Sequence, residues 1–227
     1  IVYAVDGIAG REPRAFYNPE SKTGIIVNCD CYAQVRKWAL GMVTDLVERL
    51  SETHSVHGAC LEIKGKGLAL VAPPGVGRGS LCYGLLQNED VKIHSNDFFL
   101  TRYTRTEAIA DISERKFYAR TRVARTYDYL APLFDRSKLE NVVTGKEDCL
   151  NQECENLDRC DLDRGETHCY WASKYSRALL DPYWIGGVGK YAKRAALRWL
   201  VVLRKDSISP AVERLEPEQA LQFLEEG

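Results

Sequence analysis

The stretch HGACLEIKGKGLALVAPPGVGRGSLCYGLLQNEDVKIHSNDFF, His57 to Phe99, decides the fold. It divides into strand, glycine turn, strand, glycine-rich loop, helix, strand and an acidic end. Leu68 to Val71 is a short apolar run suited to a buried strand. Pro73, Pro74, Gly75, Gly77 and Gly79 break that run before a helical pattern opens at Leu81 to Leu86. A helix start leaves backbone N–H groups unpaired, and glycines let a loop wrap an anion with those groups turned inward. A full nucleotide loop adds a Lys for the terminal phosphates and a Ser or Thr whose hydroxyl binds Mg²⁺. Here Arg78 stands at the Lys position, Gly79 at the hydroxyl position, and Ser80 one residue late. Gly75, Val76, Gly77, Arg78, Gly79 and Ser80 are the candidate nucleotide-binding residues.

Outward from this stretch, the composition bounds the rest. The 227 residues suffice for a substantial core, and the reading is one α/β domain over 1–227 with a Cys-rich insertion at about 145–170. A net charge of −1 gives no general attraction to nucleic acid or anionic membrane, so phosphate recognition has to be local. The chain opens at Ile1 on a strand-like IVYAV, which reads as an internal piece of a longer protein. No signal peptide and no membrane-length apolar run is seen, and the expected location is the cytoplasm.

Ile1 to Val5 and Gly24 to Cys29 read as strands joined by a polar turn around Asn18 to Ser21. Asp30 is placed to cap a packing helix from Tyr32 to Leu50, whose stripe is Val35, Ala39, Met42, Val43, Leu46 and Leu50. The basic run within Thr104 to Tyr129 reads either as a solvated helix face or as a source of inward arginines. In the second case Arg115, Arg120 or Arg122 clamps a phosphoryl group or a carboxylate substrate through its planar fork. Gly186, Gly187 and Gly189 read as a turn, Leu197 to Leu203 as a strand, and Pro217 to Glu226 as a terminal helix.

Cys149, Cys154, Cys160 and Cys169 fall with His168 in a polar, acidic segment with too few apolar residues to fold by itself. Three states are open. The thiolates bind Zn²⁺ or an iron–sulfur cluster, they form two disulfides, or they remain free.

The segment from His57 to Phe99 resembles the core of HPr kinase/phosphorylase and its wider relatives, which include the phosphoenolpyruvate carboxykinases. The resemblance rests on the His57-Gly58 pair, the Gly65-Lys66-Gly67 turn between strands, the loop from Ala72 to Gly79, and Asn96-Asp97 at the position of an Asp-Asp pair. It implies an α/β fold with a mixed sheet and a central P-loop, Mg²⁺ and ATP as ligands, and Ser80 and Asp97 as metal ligands. His57, Asn96 and Asp97 then become the catalytic candidates, and Lys190 or Arg177 is placed near the phosphates. The implied activity is phosphoryl transfer to a protein serine or a small hydroxylated molecule, in an assembly of identical chains. The chain departs from the pattern at Ala72 for Gly, Arg78 for Lys, Gly79 for Ser or Thr, and Asn96 for Asp. Asn96 accepts no proton at neutral pH, so a one-residue shift that brings Asp97 and Ser80 into play is needed for catalysis. A degenerate, partner-binding protein and a carboxykinase-like enzyme holding a dicarboxylate are the alternatives.

Overall fold

The structure, a computed structural model, describes residues 1–8, 10, 12–29, 31–114, 116–149, 154, 160–171, 175–208 and 210–226. Asp30 and Arg115, both named above, lie outside the described residues, as does most of 150–159. The first third of the chain forms β1 (Val2–Val5), β2 (Arg14–Asn18), β3 (Thr23–Val27), α1 (Tyr32–Leu50), β4 (Thr53–Val56), β5 (Ala59–Ile63) and β6 (Lys66–Val71). The middle forms α2 (Arg78–Leu86), β7 (Val91–Ser95), β8 (Phe99–Tyr103), β9 (Ala108–Ser113), β10 (Phe117–Arg120), α3 (Ala131–Phe134) and β11 (Lys138–Glu140). The last third forms β12 (Arg177–Leu180), α4 (Tyr183–Gly186), β13 (Ala195–Val202) and α5 (Pro217–Glu226).

This is a mixed α/β architecture. The largest sheet has seven strands in the order β4-β8-β9-β13-β6-β5-β7, with β6 parallel to β13 and antiparallel to β5. Of two three-stranded sheets, β1-β3-β2 precedes it in sequence and β10-β12-β11 is inserted between its strands β9 and β13. Residues alternate between faces along each strand, so the two faces of β6 serve different purposes. Leu70 faces a large core with Leu61, Ile93, Cys82, Tyr83 and Leu86, which continues into Phe117 and Leu180 of the β10-β12-β11 sheet. Helix α2 is thus packed between two sheets, and each fully buried leucine there contributes about 2 kcal/mol. Ala69 faces the other way, into a smaller cluster with Cys60, Phe99, Ala110 and Ala195. Small side chains on that face leave a cavity of about 670 Å³ between the sheet and α5.

Two readings of the sequence change here. The basic run from 104 to 129 is not a helix face: it supplies β9, β10 and a 3₁₀ turn at Thr121–Arg125. Strand pairing of Phe117–Arg120 with Arg177–Leu180 outweighs the local charge pattern, because it buries Phe117 and Ala119. The polar segment before β3 also contains a strand, β2, which pairs antiparallel with β3 from Arg14 to Asn18. Among the described residues, no helix is long and apolar enough to cross a membrane.

Candidate functional site

The end of β6, the start of β5 and the end of β7 lie at one end of the large sheet, because β5 is antiparallel to both neighbours. That topology brings His57, the loop from Ala72 to Gly77, and Asn96-Asp97 together. Gly58 must be glycine where β5 starts, since a Cβ there would sit 2.8 Å from the Leu70 carbonyl oxygen.

Gly75 and Gly77 have φ of 86° and 110°, in the left-handed region that side chains disfavour. They turn the chain from β6 into α2, whose first helical bond runs from the Leu81 N–H to the Gly77 carbonyl at 2.9 Å. The N–H groups of Arg78, Gly79 and Ser80 therefore lie ahead of that bond with no helical acceptor, and no side chain caps them. Ser80 is exposed on the first turn.

Arg78 does not point into the loop. Its Nη1 donates to the His57 carbonyl at 3.2 Å, its Nη2 lies 3.2 Å from His57 Nε2, and the same Nη2 pairs with the Asp97 carboxylate. A guanidinium has no acceptor, so His57 Nε2 accepts from it in this arrangement. His57 Nε2 is also 3.4 Å from Asp97 Oδ1, so it becomes a donor to that carboxylate if Arg78 leaves. Asp97 and His57 remain largely open to solvent, whereas the Arg78 side chain is 15% exposed.

The turn after β7 separates Asn96 from Asp97. Ser95 Oγ donates to the Phe98 carbonyl and accepts from the Phe98 N–H, closing Ser95 to Phe98 tightly. Asp97 projects toward the loop, while Asn96 is buried with its Oδ1 unpartnered. It is therefore the second residue of the pair that stands at the glycine loop.

Other candidates are distributed more widely. Arg122 donates to the Trp171 carbonyl at 3.0 Å. Arg120 ends β10 directly opposite Arg177 on β12. Lys190 is placed away from the loop: its Nζ donates to the carbonyls of Leu86, Asn88 and Val91, at the opposite end of α2, which corrects its assignment to the phosphates. Among the described residues, Cys149, Cys154 and Cys160 are half-buried and Cys169 is buried. Among the described residues no three His, Cys, Asp or Glu side chains gather as a metal site.

Sequence reasoning missed the cavity beside the loop. Its lining includes His57, Ala72, Pro73 and Pro74 at the loop end and Thr101, Trp199 and Phe223 deeper in. Thr101 is buried and its Oγ1 has no partner, and it shares the wall with Ser55, His57 and Arg198 among mostly apolar side chains. Only the run of alanines on one face of the sheet hints at it in the sequence.

No protein-family model matches the chain, and no curated protein matches it. Among solved structures it is similar to the HPr(Ser) kinase/phosphatase from Coxiella burnetii, at a TM-score of 0.37 and 10% identity. That match covers 73% of this chain and 67% of the other. At those values the likeness carries no weight for function, and the reading below stands on the site itself.

Proposed function

We propose that this chain binds the phosphates of a nucleotide on the loop from Gly75 to Ser80 and transfers a phosphoryl group to a hydroxyl, in the manner of an HPr-kinase-like protein. The observation that supports it is the convergence of an uncapped helix N-terminus, one cation and one carboxylate at the end of β6. Helix N–H groups and Arg78 hold the phosphates, and the cavity beside Ala72 to Pro74 takes the base. Asp97 accepts the proton of the attacking hydroxyl. The oxygen–phosphorus bond forms as the bond to the leaving diphosphate breaks, and His57 holds Asp97 in place by donating from Nε2. Transfer of this kind depends on position and electrostatics more than on covalent help.

A Mg²⁺ ion bound mainly by phosphates and water needs one or two protein oxygens, and Asp97 with the Ser80 hydroxyl fits that need. The ion supplies neutralisation of phosphate charge. Opening the Arg78–Asp97 pair frees the cation for the phosphates and the carboxylate for the hydroxyl together. The pair itself favours a second reading, in which the latch stays shut and the protein binds nucleotide without turnover.

Calorimetric titration with ATP, ADP and pyrophosphate, with and without Mg²⁺, tests both. Metal-dependent binding in about the micromolar range with ATP turnover supports transfer, and binding without turnover supports the second reading. Absence of heat for all three ligands overturns both.

A further inference from the structure

The cavity beside the glycine loop is roofed by a helix that the fold holds loosely. Strand β13 ends at Val202, and the Leu203 N–H donates to the Val71 carbonyl at 2.8 Å, which keeps the chain beside β6 up to the start of the loop. From Arg204 to Arg214 every described residue is exposed, Ile208 and Val212 almost completely. Helix α5 then returns and packs on β13. None of its described residues is buried: Ala220 and Phe223 are half-buried, and Leu221 and Leu224 are exposed. A ten-residue helix is marginal by itself in water, so α5 owes its order to what lies under it.

What lies under it is incompletely filled. Phe223 and Leu224 line the cavity from α5, and Ala69, Ala72 and Ala108 line it from the sheet side. The Arg204 guanidinium sits 4.5 Å from the centroid of the Phe223 ring, so the roof is tied to its own linker. Of the polar groups in the wall, Arg198 pairs with Glu107 and His57 Nε2 meets Arg78, whereas the fully buried Thr101 Oγ1 has no partner. Thr101 stands between Phe99 and Tyr103 on one face of β8, and all three line the cavity, so its side chain is directed there. Native proteins seldom leave such an atom unmet unless a ligand or ordered water meets it. We propose that α5 is a lid that opens to admit a planar heteroaromatic ring and closes with Phe223 stacked on the ring and the Thr101 hydroxyl bonded to its edge.

Size, wall and position select this occupant. A cavity of about 670 Å³ lies within the range of roughly 300–1,000 Å³ usual for small-molecule sites, ample for a ring system with a sugar attached. A flexible alkyl chain would fill the same space but leave Thr101 unmet. A ring nitrogen or an exocyclic amine meets it, because a hydroxyl both donates and accepts. Phe223 supplies the aromatic face against which such a ring stacks. Closure over the ring also removes from water apolar surface that is now open, Tyr103, Leu200 and Leu224 among it. The cavity reaches Ala72 to Pro74, so one molecule can engage both it and the glycine loop. That the ring is the base of a nucleotide rests on the function proposed above, whereas the lid and its ring site do not.

Amide hydrogen exchange of the full chain, read by mass spectrometry on peptides from α5 and from β6, tests the lid. Without ligand, α5 should exchange at least about tenfold faster than β6. At least one of adenosine, guanosine, cytidine and uridine should slow α5 by about fivefold or more, and pyrophosphate should leave α5 unchanged. By calorimetry, Phe223→Ala should weaken the responding nucleoside by about fivefold or more, as loss of a stacking partner does, and Phe223→Trp should restore it. Thr101→Val should weaken the same nucleoside by about threefold or more, with all variants folded by circular dichroism and pyrophosphate affinity unmoved in each. Unaltered α5 exchange with every nucleoside, equal slowing by pyrophosphate, or unchanged nucleoside affinity in both Phe223→Ala and Thr101→Val overturns the lid. The two probes keep the failures apart. Pyrophosphate binding without a nucleoside response removes the lid alone, a nucleoside response without pyrophosphate binding removes the phosphate reading alone, and absence of both removes both.

Discussion

Replacing Arg78 by Lys and Gly79 by Ser restores the cation and hydroxyl that a nucleotide loop ordinarily carries, and the surroundings allow an estimate of the outcome. Arg78 spans the His57 carbonyl and Asp97 with one planar fork. A lysine ammonium is a single point and gives up part of that span. Asp97 is 45% exposed, so solvent screening reduces the pair to about 1 kcal/mol. The bond to the His57 carbonyl adds about 1 kcal/mol. A side chain at residue 79 meets only Tyr83 Cε2, at an ordinary 3.8 Å, and exchanging Gly for Ser inside a helix returns about 0.5 kcal/mol. The double variant should therefore melt within a few degrees of the parent, roughly 1 kcal/mol less stable. The freed ammonium can make a charge-assisted bond to phosphate worth about 1.5–3 kcal/mol, or about 10- to 100-fold in affinity. Titration of both proteins with ADP and Mg²⁺ reads this directly. A folded double variant with the parent's affinity would refute the placement of phosphates on this loop.

Gly77→Ala should destabilise by about 1–2 kcal/mol and weaken nucleotide binding, because φ is 110° there, while Gly79→Ala should stabilise by about 1 kcal/mol; denaturant melts separate the two. Burial holds the His94 imidazole below its ordinary value of 6.5, so the neutral form is the one folded. The stability this contributes is fully present above 6.5 and is lost as pH falls from there through the lower folded-state value, so the denaturation midpoint should drop on acidification and drop less in His94→Gln. Burial pushes the thiols of Cys60 and Cys82 up to about 12, so native alkylation near neutral pH should spare both, and mass spectrometry should find them labelled only after unfolding.

Much of the fold was legible where the signal is local. The stripe from Val35 to Leu50 gave the helix Tyr32–Leu50, and the apolar run with its glycine break gave β6 and α2 in order. The strand β2 was not legible, since its residues are almost all exposed and only pairing with β3 makes them a strand. The basic segment misled for the same reason. Its charges are local, whereas the partner that turns Phe117–Arg120 into a strand is Arg177–Leu180, far along the chain.

The candidate site divides in the same way. Sequence alone determined which residues stand at the loop, that Gly75 and Gly77 turn it, and that Asn96 is no proton acceptor, because these follow from residue type and spacing. Tertiary structure alone decided where Arg78 points. Its guanidinium is drawn back to His57 and Asp97, residues 21 and 19 positions away in sequence, because antiparallel β5 brings all three to one end of the sheet. The cavity under α5 likewise exists only once distant strands pair in register and the last helix packs over them, since no local spacing encodes which side chains a sheet sets side by side.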